Sequence, residues 1–183
     1  MQTDAPLGGK TLKRLFLLRH AKAAPASGPL PDFDRPLIAS GMEDAAAMAG
    51  YLRKKDYDLG MILCSAALRT TQTADQVLRE HDVAIEYRDT LYLADAGHIV
   101  AQVRAAAPAL SSLMILGHNP GLEVAAARLA RESVRRKERT RYEALEEKFP
   151  TCALAILDFD VADWADVCDA SGKLVDFVRP RDL

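Results

Sequence analysis

Aromatic residues and cysteines are both scarce in this chain of 183 residues. Aromatic residues make up only 6%, so alanine and the aliphatic side chains must supply most of the core. The three cysteines, Cys64, Cys152 and Cys168, are odd in number and widely spaced, which excludes a disulfide framework and a CxxC metal pair. Cys64 and Cys152 lie in apolar runs, so we expect both to be buried free thiols, as in a reducing cytoplasm.

The chain also lacks an excess of charge and a long apolar run. Its 24 Lys and Arg residues are balanced by 26 Asp and Glu residues, for a net charge of -2. We therefore expect neither nucleic acid nor a membrane as a partner, although a small local anion site stays open. The longest uncharged stretch, 105–122, contains prolines and polar residues and is no membrane span, and 1–11 has no apolar signal-peptide core. We expect a cytoplasmic protein.

Short apolar runs alternate with segments of helical periodicity along the whole chain. This alternation is typical of a three-layer α/β/α sandwich with a mostly parallel central sheet. No linker divides the sequence, so we expect a single domain over 1–183, with 1–11 as a loose leader. Strands are predicted at 12–18, 59–64, 84–87, 113–116, 152–159 and 174–178, and helices at 40–55, 66–81, 97–106 and 122–130.

Three local patterns add detail to this outline. Ser40, followed three residues later by Glu43, predicts a capping box at the start of the first helix. The segment 25–36 is rich in Pro, Gly and Ala and is predicted to be a loop. The segment 131–148, dense in both charge signs, is predicted to be a solvated helical face or surface loop, with a lid as the second alternative.

Residues suited to phosphate chemistry follow three of the predicted strands. Arg19 and His20 end the first, Arg69 lies one helical turn after the second, and His118 follows the strand at 113–116. Because ligands in open α/β sheets bind at the carboxyl ends of strands, we expect these four side chains to meet. Arginine binds phosphate oxygens in a planar fork, and a neutral histidine offers a nucleophilic nitrogen. The arginines supply the positive charge, so no metal or other cofactor is expected.

The segments around these residues resemble the motifs of the histidine phosphatase superfamily. Residues 17–22 resemble its strand and Arg-His-Gly signature, and 65–74 resemble its S-x-x-x-R-x-x-Q-T-A segment. Residues 116–122 resemble its second histidine loop, and 34–37 the pattern between its first strand and first helix. The compact size and the Arg-His-Ala variant are similar to the SixA-type protein phosphohistidine phosphatase branch. The resemblance implies a phosphoglycerate mutase-like fold.

The same resemblance implies a role for each of these residues. His20 would attack phosphorus and become a transient phosphohistidine. Arg19 and Arg69 would hold the equatorial oxygens, and His118 would donate to a phosphoryl oxygen. Backbone N–H groups near Asn119 would assist in binding the substrate.

Two positions depart from the superfamily's pattern. Ala21 stands where glycine is usual after Arg-His. The glutamate that many members use as a proton donor is missing from 89–98, where Asp95, or less well His98, could replace it. The alternative that we favour for both is a surface N-cap region of a helix.

The missing acid bears on the substrate. A phosphate ester leaves as an alkoxide and needs a proton, whereas phosphohistidine leaves as an imidazole, whose conjugate acid has a pKa of about 6.5. The sequence therefore favours a metal-independent phosphatase acting on phosphohistidine in a protein, such as a phosphotransfer domain. One alternative is a phosphomonoesterase for small phosphorylated metabolites. The other is a phosphate-recognition module without catalysis.

Overall fold

The computed structural model describes residues 12–27 and 29–183, so the predicted leader at 1–11 lies outside the described residues. Six strands and five α-helices form the described part of the chain. The strands are β1 (Leu12–Arg19), β2 (Ile62–Ser65), β3 (Ile85–Arg88), β4 (Ser112–Gly117), β5 (Leu154–Asp160) and β6 (Lys173–Val178). The helices are α1 (Ala39–Lys55), α2 (Leu68–Val77), α3 (Ala96–Arg104), α4 (Gly121–Leu129) and α5 (Arg136–Glu147).

The described strands form one sheet in the order β3-β2-β4-β1-β5-β6. β1, β2, β3 and β4 pair in parallel, whereas β5 runs antiparallel to both β1 and β6. All described strands but β5 therefore point the same way, which confirms the predicted mostly parallel sheet. The register sets Arg19 opposite Gly117 and Cys64 opposite Leu116, so β2, β4 and β1 end level with one another.

The sheet is buried on both faces, which explains why β1 is an almost unbroken apolar run. Leu15 and Leu17 face a core shared with α3, α4 and α5. Phe16 and Leu18 face the opposite core, shared with α1 and α2. Successive side chains of a strand point to opposite faces, so a strand between two helical layers must be apolar at every position. The three-layer α/β/α architecture is thereby confirmed.

The predicted capping box at Ser40 is wrong. α1 begins at Ala39, and its N-cap is Ile38, which makes no side-chain hydrogen bond to the helix. The Ile38 N–H instead donates to the Lys22 carbonyl at 3.0 Å, and this tertiary contact fixes where the helix starts. Ser40 lies in the first turn. α2 also ends earlier than predicted, at Val77.

β2 begins at Ile62, later than the predicted 59, whereas other local predictions agree with the structure. Cys64 and Cys152 are buried free thiols. The charged segment 131–148 contains the surface helix α5, in which Leu145 is the buried residue. β6 is an edge strand. Among the described residues no helix combines the length and apolar character needed to cross a membrane.

Two glycines of α1 provide a matched stability test. A Cβ at Gly41 would lie 2.1 Å from the Lys22 carbonyl oxygen, whereas a Cβ at Gly50 meets nothing within 4 Å. We expect Gly41→Ala to lower the free energy of unfolding by about 1–3 kcal/mol, because the helix must shift. Gly50→Ala should raise it by about 0.5–1 kcal/mol. Urea denaturation measures both, and a stabilised Gly41→Ala variant would contradict this packing.

Candidate active site

The four residues predicted to carry the chemistry meet at the carboxyl edge of the sheet. His20 follows β1 and His118 follows β4, and their ring centroids are 5.1 Å apart. Arg69, in the first turn of α2, and Arg19, the last residue of β1, both act on the His20 ring electrostatically. His20, His118 and Arg69 are all buried, with Arg69 only 1% exposed.

Hydrogen bonds fix the orientation of His20 and its protonated nitrogen. Nδ1 lies 2.7 Å from the Ala21 carbonyl oxygen. A carbonyl only accepts, so Nδ1 carries the proton and Nε2 keeps its lone pair. The Ala21 N–H in turn donates to Thr73 Oγ1 of α2 at 3.0 Å. Ala21 does not have a positive φ, so this position does not require the glycine that is usual in the superfamily.

Ser65 orients His118. Its hydroxyl, completely buried at the end of β2, lies 2.8 Å from His118 Nε2. Ser65 Oγ also accepts a long hydrogen bond of 3.5 Å from the Ala67 N–H, and among the described residues its own proton has no acceptor other than His118 Nε2, so we assign the proton to that contact. His118 Nδ1 then carries a proton. Ser65 was visible in the sequence only as the first residue of a motif, and its partner could not be inferred from spacing.

Three buried nitrogens in the described part of the chain have no hydrogen-bond partner. They are Arg19 Nε, Arg69 Nε and His118 Nδ1. Buried donors without partners are rare in folded proteins because each costs about 1–3 kcal/mol. All three donors belong to residues that contact the His20 ring or act on it electrostatically, and such unpartnered donors suit an anion with several oxygens. No group of three His, Cys, Asp or Glu side chains within 12–27 and 29–183 could hold a metal ion.

Burial keeps both histidines neutral. It lowers the pKa of His20 to about 4, and the positive charges of Arg69 and Arg19 add to this effect, whereas the hydrogen bond to Ala21 opposes it. Burial is the main cause that lowers the pKa of His118 to about 3, and the electrostatic effects of His20 and Arg69 add to it. Burial also lowers the pKa of Arg19, although arginine keeps its charge at neutral pH. The pocket thus combines fixed positive charge with unprotonated histidine rings.

Asp32 anchors Arg69 and was not anticipated from the sequence. Arg69 donates to the Asp32 carbonyl at 2.5 Å and to its carboxylate at 3.0 Å. The Tyr92 hydroxyl donates to the same carboxylate at 2.6 Å, and Arg35 donates to its other oxygen at 2.9 Å. The hydrogen bond from Tyr92 is the main cause that lowers the pKa of Asp32 to about 2, and Arg35 and Arg69 lower it further. The predicted loop 25–36 therefore reaches the site, but one aspartate in a loop gives no sequence signal of this.

Arg19 is held by the segment that follows α5. It donates to the Phe149 carbonyl at 2.8 Å, an oxygen that also accepts from Asn119 Nδ2 at 3.0 Å. Asn119 Nδ2 donates as well to Glu123 at 3.0 Å, and Glu123 accepts from the Phe149 N–H at 3.3 Å. The Asn119 side chain therefore secures this segment, and substrate binding by backbone N–H groups near Asn119 stays a prediction. Glu123 was not anticipated.

Asp95 is the N-cap of α3, which confirms the interpretation favoured from the sequence. Its exposed carboxylate accepts from the His98 N–H at 2.7 Å. The His98 ring contacts Gln102 at 3.3 Å. A role for either residue as proton donor stays a prediction.

Comparison with known proteins found a matching family profile and several similar proteins. The profile of the histidine phosphatase superfamily (branch 1) matches residues 15–115. A candidate phosphohistidine phosphatase SixA from Nakamurella multipartitia superposes with a TM-score of 0.78 at 29% identity, over 92% of this chain and 96% of that one. A candidate SixA from Agrobacterium tumefaciens superposes with a TM-score of 0.75 at 32% identity, over 92% of this chain and 98% of that one. An uncharacterised protein of Mycobacterium tuberculosis is 33% identical over 90% of this chain and 100% of its own length.

The two histidines should not titrate in the ordinary range. We expect the ring signals of His20 and His118 in NMR spectra to keep their neutral positions from about pH 8 to about pH 5.5, since free histidine titrates near 6.5. The unfolded chain takes up protons that the folded pocket excludes, so the free energy of unfolding should fall as the pH drops below about 6.5. His20→Gln and His118→Gln variants assign the signals. A midpoint near 6.5 for either ring would contradict the buried, neutral pair.

Proposed function

The chain belongs to the histidine phosphatase superfamily, and on that premise we propose that it removes phosphate from phosphohistidine in a protein. The reaction passes through a covalent phosphohistidine at His20. One observation carries the proposal: His20 keeps an unprotonated Nε2, and its neighbours Arg19, Arg69 and His118 each have a buried nitrogen without a partner among the described residues. A phosphoryl group supplies the oxygens that these donors lack.

The first step transfers the phosphoryl group to His20. The lone pair of Nε2 forms a bond to phosphorus while the bond from phosphorus to the substrate's imidazole nitrogen breaks, and that nitrogen leaves with the electron pair. The new phosphoimidazole of His20 is more positive than the free ring. Its Nδ1–H, already bonded to the Ala21 carbonyl, becomes a stronger donor, so this hydrogen bond stabilises the intermediate.

The second step releases phosphate. A water oxygen attacks phosphorus, the bond to His20 Nε2 breaks, and the ring returns to its neutral form while the water's protons pass to phosphate and solvent. In both steps the negative charge on the equatorial oxygens is held by Arg19 and Arg69 and by the His118 N–H. These donors are in place before the substrate arrives, since Asp32, Phe149 and Ser65 fix the three side chains.

The pocket's chemistry favours a phosphoramidate over an alkyl phosphate. Asp32, the carboxylate that binds Arg69, is ionised at neutral pH because its pKa is about 2, so it has no proton to give. An imidazole leaves without such help, whereas an alkoxide does not. Nucleophile and leaving group are then the same chemical group, and transfer between them is nearly balanced in energy. The two SixA proteins of similar sequence and fold are named for this substrate class.

A substrate panel tests the proposal. We expect the purified protein to release phosphate from a phosphohistidine-bearing phosphotransfer domain faster than from phosphate monoesters. The rate should not change with EDTA, because the arginines supply the positive charge. His20→Ala should lose at least about a thousandfold in kcat, because it lacks the nucleophile. Fast release from a small monoester would favour the metabolite phosphatase, and tight binding of phosphoprotein without turnover would favour a recognition module.

The Asp32 anchor predicts a second, smaller effect. In Asp32→Asn the Arg69 guanidinium loses its ionic partner, and we expect kcat to fall by about tenfold or more, because a misplaced donor stabilises the transition state poorly. Asp34→Asn, two residues further along the same loop at an exposed position, removes the same charge and should leave kcat unchanged. Melting temperatures of both variants show whether the fold is kept. Equal kcat values for the two variants would refute the anchor.

A further inference from the structure

A second cavity opens at the same edge of the sheet as the candidate active site. Its volume is about 480 Å³, and it lies between the start of α1, the segment that follows α5 and the turn that follows β6. None of the catalytic residues lines it, and the reaction described above leaves it unused. Four of its lining residues are basic: Lys22, Lys148, Arg179 and Arg181.

The cavity adjoins the site through the chain itself. Lys22 is two residues beyond His20, and Pro150 of the cavity wall directly follows Phe149, whose carbonyl holds Arg19. The strand order places β6 two strands from β1, or about 10 Å at the usual spacing. An extended polypeptide advances about 3.3 Å per residue, so residues two to four positions from a phosphohistidine bound at His20 would reach the cavity.

Three of the basic side chains are left without a full counter-charge. Arg179 is neutralised by Asp182, which it contacts at 2.8 and 3.2 Å. Lys22 and Lys148 make no ion pair with any residue in the described ranges, and Arg181 lies 4.0 Å from Asp182, a carboxylate already bound by Arg179. We call Lys22, Lys148 and Arg181 the basic cleft.

Two carboxylates also line the cavity and offset part of this charge, since Lys22 acts electrostatically on Asp44. Asp44 is on α1, and Glu147, an exposed side chain, is 3.9 Å from Arg179. The surplus of positive charge continues into the site through Arg19 and Arg69. This local surplus differs in sign from the net charge of -2 of the whole chain. A local positive field of this kind attracts an acidic partner and raises its association rate.

We propose that the basic cleft binds acidic residues of the partner polypeptide that flank its phosphohistidine. The inference rests on the proposed function and adds a determinant of substrate choice outside the phosphate pocket. A free phosphohistidine is too short to span from His20 to the cleft, so only a peptide or protein substrate gains from it. The cleft acts on binding and not on the chemical step.

Matched peptides and matched variants test the cleft. One synthetic peptide carries a phosphohistidine with Asp and Glu two to four positions away, and its partner has Asn and Gln there; free phosphohistidine is the third substrate. The cleft variant is Lys148→Glu/Arg181→Glu, with Lys148→Gln/Arg181→Gln as a milder form. The control, Lys54→Glu/Lys137→Glu, makes the same change of charge at exposed positions near the end of α1 and the start of α5, at the opposite edge of the sheet.

We expect the unmodified protein to prefer the acidic peptide by about tenfold in kcat/KM, mainly through KM, at low salt. High salt or the cleft substitutions should abolish this preference, whereas the control variant should keep it. All variants should hydrolyse free phosphohistidine at the same rate. The cleft proposal is wrong if the unmodified protein hydrolyses both peptides with the same kcat/KM. It is also wrong if the cleft variants lose as much kcat/KM on free phosphohistidine as on the acidic peptide. If it hydrolyses none of the three substrates, the proposed function fails and the cleft proposal fails with it.

Discussion

The parallel pairing of β1 with β4 is the constraint on which the site depends. Arg19 lies opposite Gly117, so the residues that follow both strands, His20 and His118, emerge side by side. A slip of one residue would exchange the faces of β1 and drive Leu15 and Leu17 out of their core. Both faces of β1 are buried, so either core alone opposes such a slip. The position of His20, the proposed nucleophile, is therefore a consequence of core packing far from it.

The pocket meets two opposing electrostatic demands at once. In the proposed reaction, phosphate binding needs fixed positive charge, whereas His20 must stay unprotonated to act as the nucleophile. Burial serves the second demand, since it lowers the pKa of His20, and the arginines add to that effect because they repel a second positive charge. Asp32 and the Phe149 carbonyl hold the arginines by their outer nitrogens, and Nε of each has no partner among the described residues. Partial satisfaction of the buried arginines is thus what makes the pocket selective for an anion.

The sequence was informative where a residue's position follows from the strand that precedes it. Arg19, His20 and His118 come at strand ends, and Arg69 one turn later, so the topology of an α/β sheet was enough to bring them together. The contacts of Asp32 with Arg69, or of Glu123 with Phe149, depend on how loops pack over that edge, and these residues are distant along the chain. Ser40 failed as a cap for the same reason, because the Lys22 carbonyl, a tertiary partner, fixes the helix start.

The chemistry of the pocket leaves substrate selection to its surroundings. In the proposed reaction the nucleophile and the leaving group are both imidazoles, so the pocket would recognise only the phosphoryl group, which every phosphohistidine shares. Discrimination among such substrates has to come from contacts beyond phosphorus. The described edge offers two segments for this: the loop 25–36, tied to Arg69 through Asp32, and the segment after α5, tied to Arg19 through Phe149. A protein substrate that binds either segment would contact the chain that holds Arg69 or Arg19, so the proposed function links docking to phosphate binding.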